Sequence, residues 1–453
     1  MVKQVVTTIN GFLWDYALLF LLIGTGVFFT LKLRFIQIRK FGRGIKMLFG
    51  NSSSREQGEA KGLSTFQALT TAIAAQVGTG NVAGAATAIV SGGPGAIFWM
   101  WVSAFFGMAT IYGEAVMAQH TKEEKDGSFV GGPSYYIKYI FRGKFGKFLA
   151  TFFSVAIIIA CGFTGCMVQS NSISSAFETA FHVDAFLVGA VIAVISGVIF
   201  IGGIKRIGRV TEKVVPIMAI FYIVGCLIIL IMHPSSVAAA FKSIFVGAFT
   251  PKAIGGGVLG VTVQKAMRFG IARGLFSNEA GMGTTPHAHA TAEVNHPSEQ
   301  GIIAMMGVFI DTFIVLTVTA LVILSTNVLG IKNSAGEFIT GTELAQSAFD
   351  AGFGNLGKAF LAICLLFFAF TTIIGWYFFG EVNVRSLFGN KMVIVYSVIV
   401  VGFIILGSVA NVDMVWNIQD MFNGLMVLPN LIALLACAGV IAKITKDYEK
   451  FKK

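Results

Sequence analysis

The chain has 453 residues, 55% of them hydrophobic and only 12% charged, with a mean hydropathy of +0.80. Soluble domains carry about 25% charged residues, so this composition excludes a soluble protein and indicates an integral membrane protein. The net charge of +11 invites a nucleic-acid partner, but the charges are placed as membrane topology would place them.

The apolar runs reach 20 residues or more and do not alternate, so they read as helices rather than barrel strands. The first, residues 12–33, is too long for a cleaved signal and lacks a small-residue cleavage site, so it counts as a span. Ten more follow, near residues 65–90, 94–118, 148–169, 184–204, 213–232, 253–283, 300–328, 357–380, 391–409 and 414–441. An all-α protein of eleven transmembrane helices is therefore expected. With the N-terminus outside, inward-facing segments hold 25 of the 33 Lys and Arg residues, which is the positive-inside pattern. A multi-pass protein of the plasma membrane follows, with its C-terminus cytoplasmic. The two long outward connections contain "VAAAFKSIF" and "ELAQSAF" at helical spacing, which read as short helices on the outer face. The five cysteines sit inside apolar runs without metal spacing and read as small core hydrophobes.

Two spans carry poor helix formers at mid-depth. "AAQVGTGNVAGA", residues 74–85, places Gly78, Thr79, Gly80 and Asn81 where an unbroken helix is expected. Irregular backbone at membrane depth is tolerated only where it is buried in protein or lines a cavity. An opened turn offers amide donors to a carboxylate and carbonyls to a cation or an ammonium group. Close packing by small residues, Gly80 with Gly84, is the alternative. The seventh span repeats the feature in "RGLFSNEAGMGTTPHAHA", residues 273–290. The two interrupted spans are five apart, so ten spans divide into two sets of five, the second inverted. Paired interruptions of this kind point to a transporter binding site.

The hairpin after the first break reads "GGPGAIFWMWVSAFFG", residues 92–107, with "GTGN" ahead of it. This stretch resembles the signature of the sodium:alanine/glycine symporter family, and the resemblance covers essentially the whole chain. It implies uptake of alanine or glycine driven by Na+ or, in some members, H+. It also implies a LeuT-type five-plus-five inverted repeat preceded by one extra helix. Residues 1–62 would then hold the extra helix and a basic cytoplasmic loop. The first repeat would span 63–232, an extracellular connection 233–252, the second repeat 253–442 and a basic tail 443–453.

By the same resemblance the substrate carboxylate would meet the amides of Thr79 and Gly80, beside Gly78, and the side chain of Asn81. Its ammonium group would meet carbonyls near Gln76 and Val77 and around Phe276, Ser277 and Asn278. Thr371 and Thr372, with the carbonyls of Ala74 and Val77, resemble a sodium site. Trp376, four residues after Thr372, shares its helix face and would narrow the pocket. Gln169 is a further donor to the carboxylate, or a plain interhelical hydrogen bond.

Charges inside a membrane are costly and functional by default. Glu279 is expected to pair with Arg273. Lys265 and Arg268, with Asp413 or Asp420, are candidates for an outer gate. Asp311 reads as a structural ion or a relay group, and Glu114 as a helix-end or surface residue. His287, His289 and His296 resemble metal spacing but read as an inner loop in water. "GGGVLG" at 255–260 lacks the strand that a nucleotide fold needs. "NSS" at 51–53 spells a glycosylation site but faces inside. No organic cofactor, nucleic acid or obligatory protein partner is expected; the partners are substrate, ion and lipid. An ion channel, or another carrier on the same broken-helix plan, is the remaining alternative; an intramembrane enzyme would need a catalytic dyad that does not stand out.

Overall fold

The computed structural model describes residues 2–49, 62–125, 127–250, 263–333, 336–410 and 412–451. The side chain of Asp413 and the stretches 51–53 and 255–260 lie outside the described residues. Helices dominate in chain order: α1 (residues 2–32), α2 (Phe41–Phe49), α3 (Thr65–Gln76), α4 (Gly80–Gly92), α5 (Gly95–His120), α6 (Pro133–Ile140), α7 (Gly143–Phe181), α8 (Ala185–Phe200) and α9 (Gly203–Met232). There follow α10 (Pro234–Phe249), α11 (Val263–Asn278), α12 (Pro286–Ala290), α13 (Pro297–Ser325), α14 (Gly341–Phe353), α15 (Gly357–Phe388), α16 (Lys391–Val409), α17 (Val412–Ala436) and α18 (Ala438–Phe451). Seven described helices are long and apolar enough to cross a membrane, and the bent pair α3–α4 makes an eighth. A two-stranded antiparallel sheet, β1 (Glu123–Lys125) with β2 (Ser128–Val130), lies between α5 and α6.

Local chemistry sets the helix starts. Ser64 and Gln67 form a reciprocal capping box at the start of α3, each side chain accepting the other's backbone N–H at 3.1 Å. Asp184 accepts from the amides of Phe186 and Leu187 at the start of α8. Proline opens α6, α10, α12 and α13, where its missing N–H costs nothing.

Exposure sorts the helices into a core and a rim. The stretch from Ala68 to Gln76 in α3 is buried throughout, and the centre of α15 is nearly so. The rim helices α8 and α9 instead present large apolar side chains such as Phe186, Val194, Ile217 and Ile220 outward. Water would penalise that surface, whereas lipid tails accept it. Among the described residues four helical stretches widen into π turns: Leu13–Ala17, Gly80–Gly84, Ile158–Gly165 and Phe309–Leu316. Such turns redirect side chains and are frequent at functional sites.

The end bearing the first residues of α1, α5 and α11 is called outer here, following the charge pattern. The expected short helices are present there as α10 and α14. At the opposite end the chain ahead of α3 pairs with the chain after α12. Leu63 N donates to Thr291 O at 2.9 Å, Glu293 N to Leu63 O at 3.0 Å, and Gly62 N to Glu293 Oε1 at 2.7 Å. Lys122 adds a bond to Ala292 O at 2.8 Å, and burial pushes its ammonium down to about 8.

Glycine spacing has different meanings along the chain. A Cβ on Gly95 would lie 2.2 Å from the carbonyl carbon of Gly247, so α5 and α10 touch through backbone. A Cβ on Gly84 would meet nothing within 4 Å, so this glycine makes no close helix contact. Gly95→Val should therefore destabilise the purified protein by about 1–3 kcal/mol, seen as a lower melting temperature in detergent. Gly84→Ala should leave that temperature unchanged or slightly raised.

Candidate functional site

The first break occupies Val77–Thr79. Val77 has extended ψ, and the two halves α3 and α4 meet at 49°. The Asn81 side chain organises the opened turn: its Oδ1 accepts from Gly78 N at 3.0 Å. A Cβ on Gly78 would sit 2.5 Å from Thr372 Oγ1 and 3.4 Å from Gln169 Oε1. Only glycine lets the backbone come that close to α15 and α7. Gly80 faces the other way, where a Cβ would approach Ser277 Cα to 3.2 Å.

The second break follows Asn278. Glu279, Gly281 and Gly283 all have positive φ, at +58°, +85° and +81°. A carboxylate on α5 gathers the loose backbone: Glu114 Oε2 accepts from Gly281 N and Oε1 from Gly283 N, both at 3.0 Å. Asn430 on α17 donates to Glu114 Oε1 at 2.7 Å and to Gly281 O at 2.9 Å, and Tyr136 donates to Asn430 Oδ1. The Asn278 side chain accepts from Ala280 N at 3.1 Å, closing the turn itself.

Asp311, from the π turn of α13, ties the breaks together. Its Oδ1 accepts from Asn81 Nδ2 at 2.6 Å, both oxygens lie 3.1 Å from Ser277 Oγ, and Thr312 Oγ1 donates to Oδ2 at 2.7 Å. All these donors are neutral. Gln76 Nε2 adds a second tie, to Asn278 O at 2.7 Å. On the α15 side, Thr372 Oγ1 donates to Ala74 O at 2.9 Å. Gln169 Nε2 donates to Thr79 Oγ1 at 3.1 Å, and its Oε1 lies 3.4 Å from Thr79 N. Trp376 Nε1 donates to Glu279 Oε1 at 2.5 Å, and its ring stands edge-on to Phe276 with centroids 6.4 Å apart. Gln76–Asn81, Gln169, Phe276–Asn278, Thr372 and Trp376 thus converge on one buried centre. An outer pocket of about 270 Å³, lined in part by Trp14, Arg268, Arg273, Phe276 and Asp420, ends on the same Phe276 ring.

A family model described as the sodium:alanine symporter family matches residues 1–453. The chain is 42% identical to "Sodium/alanine symporter AgcS" of Methanococcus maripaludis, over 99% of this chain and 98% of that protein. The chain belongs to the sodium:alanine symporter family. It is also 38% identical to "Putative sodium/proton-dependent alanine carrier protein YrbD" of Bacillus subtilis, over 99% of this chain and 93% of that protein. A third relative, "Probable sodium/glutamine symporter GlnT" of Bacillus subtilis, is 37% identical over 100% of this chain and 91% of that protein. Among solved structures, MhsT in complex with L-phenylalanine superposes with a TM-score of 0.52 at 12% identity, covering 86% of this chain and 99% of that chain. A manganese transporter from Eremococcus coleocola gives 0.53 at 13% identity, covering 83% and 76%. This symporter-family chain therefore shares the LeuT-type fold and is a multi-pass amino-acid/cation transporter, in a family that is not an enzyme class.

Several side chains of this symporter stand elsewhere than sequence reasoning places them. Glu279 does not pair with Arg273. It turns inward to Trp376 and Thr284, while Arg273 reaches Asp420 on α17 at 3.5 Å. The positive φ of Glu279 reverses the chain, so the two side chains leave in different directions. Glu114 is not at a surface; it is fully buried against the second break. His287 and His289 are buried as well: His287 Nε2 meets the Asn383 amide at 2.8 Å and His289 Nδ1 meets Gln300 at 2.8 Å. Thr371 parts from Thr372, because neighbours on a helix differ by about 100°. Its hydroxyl bonds Phe367 O and Phe368 O on its own helix and faces Met218, not Ala74. Asn81 Nδ2 meets both Asp311 Oδ1 at 2.6 Å and Asp311 O at 3.2 Å, while Oδ1 accepts from Gly78 N, so that side chain is spent on holding the first break to α13. Lys265 and Arg268 stay on the outer half of α11, Arg268 against the Phe269 ring.

Glu114, Asn430 and Asp311 were accessible to sequence reading only as polar residues inside apolar runs. Glu114→Gln would set an N–H against a backbone N–H at Gly281 or Gly283. It should cost about 1–3 kcal/mol, and Glu114→Ala at least as much. Denaturation of the purified protein by heat or denaturant reads both.

Proposed function

We propose that this chain is a secondary symporter that takes up alanine and glycine with Na+ by alternating access. The observation that carries the reading is the convergence of two opened helices on one buried centre. Eleven spans in a five-plus-five inverted repeat, with N-terminus outside, would put that centre near the bilayer midplane. The sodium coupling and alanine named for the relatives AgcS and YrbD support the same substrate and ion.

The substrate carboxylate would take the Thr79 and Gly80 amides at the start of α4, where the helix dipole favours an anion. Gln169 is placed to yield: its long contact to Thr79 N can be exchanged for the carboxylate while Nε2 donates. The ammonium group would meet carbonyls of Gln76, Val77 and the Phe276–Asn278 turn. Trp376 and Phe276, whose rings stand edge-on with centroids 6.4 Å apart, would bound the side chain on one side. Na+ would take Ala74 O, Val77 O and Thr372 Oγ1. Thr372 then trades its bond to Ala74 for coordination, which couples α15 to the first break. Asp311 places a carboxylate with neutral partners between the breaks, a field that attracts cations. Binding of ion and amino acid at adjoining parts of one opened turn makes each favour the other. The backbone pairing of residues 62–63 with 291–293 would close the inner path, and Arg273–Asp420 would narrow the outer one.

Uptake of labelled alanine into proteoliposomes should accumulate under an inward Na+ gradient and collapse without it. Uptake that ignores Na+ and follows a pH gradient would reassign the coupling ion to H+. Unsaturable currents would sink the carrier reading. Thr372→Ala should raise the Na+ concentration for half-maximal uptake by about tenfold or more, equivalent to ~1.4 kcal/mol. Thr371→Ala should change it less than about twofold, under ~0.5 kcal/mol. Trp376→Ala should admit larger apolar amino acids as competitors of alanine; unchanged selectivity would remove it from the pocket.

A further inference from the structure

Helix α17 carries a polar face that the ties above do not use. Gln419 is fully buried; its Oε1 accepts from Thr164 Oγ1 at 2.5 Å, while its Nε2 has no partner among the described residues. Asn423 is 1% exposed, and neither its Oδ1 nor its Nδ2 has a partner among the described residues. Residues four apart lie on one helix face. Buried carboxamides are nearly always hydrogen-bonded, and leaving them unmade is costly.

Their position is set from four sides. Toward the outer end, α17 is tied to α11 by Arg273–Asp420. Toward the inner end, it is tied to the second break by Asn430 and Gly281 O. Gln419 adjoins the first tie in the chain, and Asn423 lies between the two ties along α17. Thr164, which holds Gln419, adjoins Gly165, where a Cβ would lie 2.4 Å from Trp376 Cε3. Trp416, one turn before Asp420, meets the Phe276 ring at 5.6 Å. Gln419 therefore stands near the Phe276–Trp376 wall, and Asn423 follows one turn later on the same helix face.

A methyl group cannot satisfy these atoms. A group that both donates and accepts can meet Asn423 Nδ2 and Oδ1 together, with Gln419 Nε2 as a further donor. We propose that Gln419 and Asn423 form a side-chain subsite that selects amino acids bearing a hydroxyl or carboxamide group over apolar ones of the same shape. This rests on the reading of Phe276 and Trp376 as the wall of the substrate pocket. A site built to hydrogen-bond a substrate group rejects the analogue that lacks it, because its own polar atoms stay unpaired.

The test uses isosteric pairs: serine against 2-aminobutyrate for the hydroxyl, asparagine against leucine for the carboxamide. Affinity is read from the rise in melting temperature of the full-length protein in detergent with Na+, which does not require transport. The polar member should bind at least about tenfold tighter in one pair or both, and which pair does so identifies the group. Equal or tighter binding of the apolar member in both pairs overturns the subsite. Asn423→Leu should cut the preferred pair's ratio about tenfold. An unchanged ratio, or an equal loss for both members, overturns the assignment and marks Asn423 as structural. Should that variant not fold, Gln419→Met is read by the same ratio. Alanine uptake in proteoliposomes separates the two readings. Its absence sinks the symporter; its presence with no polar preference sinks the subsite alone.

Discussion

Everything in this structure depends on one constraint: backbone opened inside a membrane must find partners within the protein. The second break shows how strict this is. Three positive-φ residues within five positions free several amides at once, and one carboxylate from α5 collects two of them. Asn430 fixes that carboxylate from α17, and Tyr136 fixes Asn430 from α6. Three helices thus hold one loop, and none of the bonds lies within a regular helix.

The same constraint gives the site its character. A break held only by its own backbone would be rigid or frayed. Here side chains from other helices supply part of the holding, so the breaks can exchange partners without exposing unpaired groups. Thr372 on Ala74 O, Gln169 on Thr79 and Trp376 on Glu279 are each a bond between a side chain of one helix and a break in another. Asp311 works differently. It gathers Asn81, Ser277 and Thr312, one residue from each broken helix and one from its own, and keeps the two breaks facing one another.

Much of this was legible along the chain. Apolar runs, the loop charges and two anomalous stretches of glycine and polar residues sufficed for the helical membrane class and for both breaks. The two long connections read correctly as helical, and Gln76–Asn81 and Phe276–Asn278, named from the family resemblance, fall at the two breaks. What misled was the treatment of lone polar residues by their position in a span. Glu114 sits near the end of its apolar run, yet it is fully buried because the second break packs across it. His287 and His289 read as water-exposed for the same reason, and the adjacent pair Thr371–Thr372 read as one unit although the helix turns them apart.

The sequence by itself determined where helices run and where they must fail, because hydropathy and backbone propensity are local quantities. Only the tertiary structure decided which side chain meets each freed backbone group. Asn81 to Asp311 spans 230 residues, Glu114 to Gly281 167, and Thr372 to Ala74 298. Hydrogen bonding is short-ranged and directional, so these pairings exist only once α5, α13, α15 and α17 are packed around the two breaks.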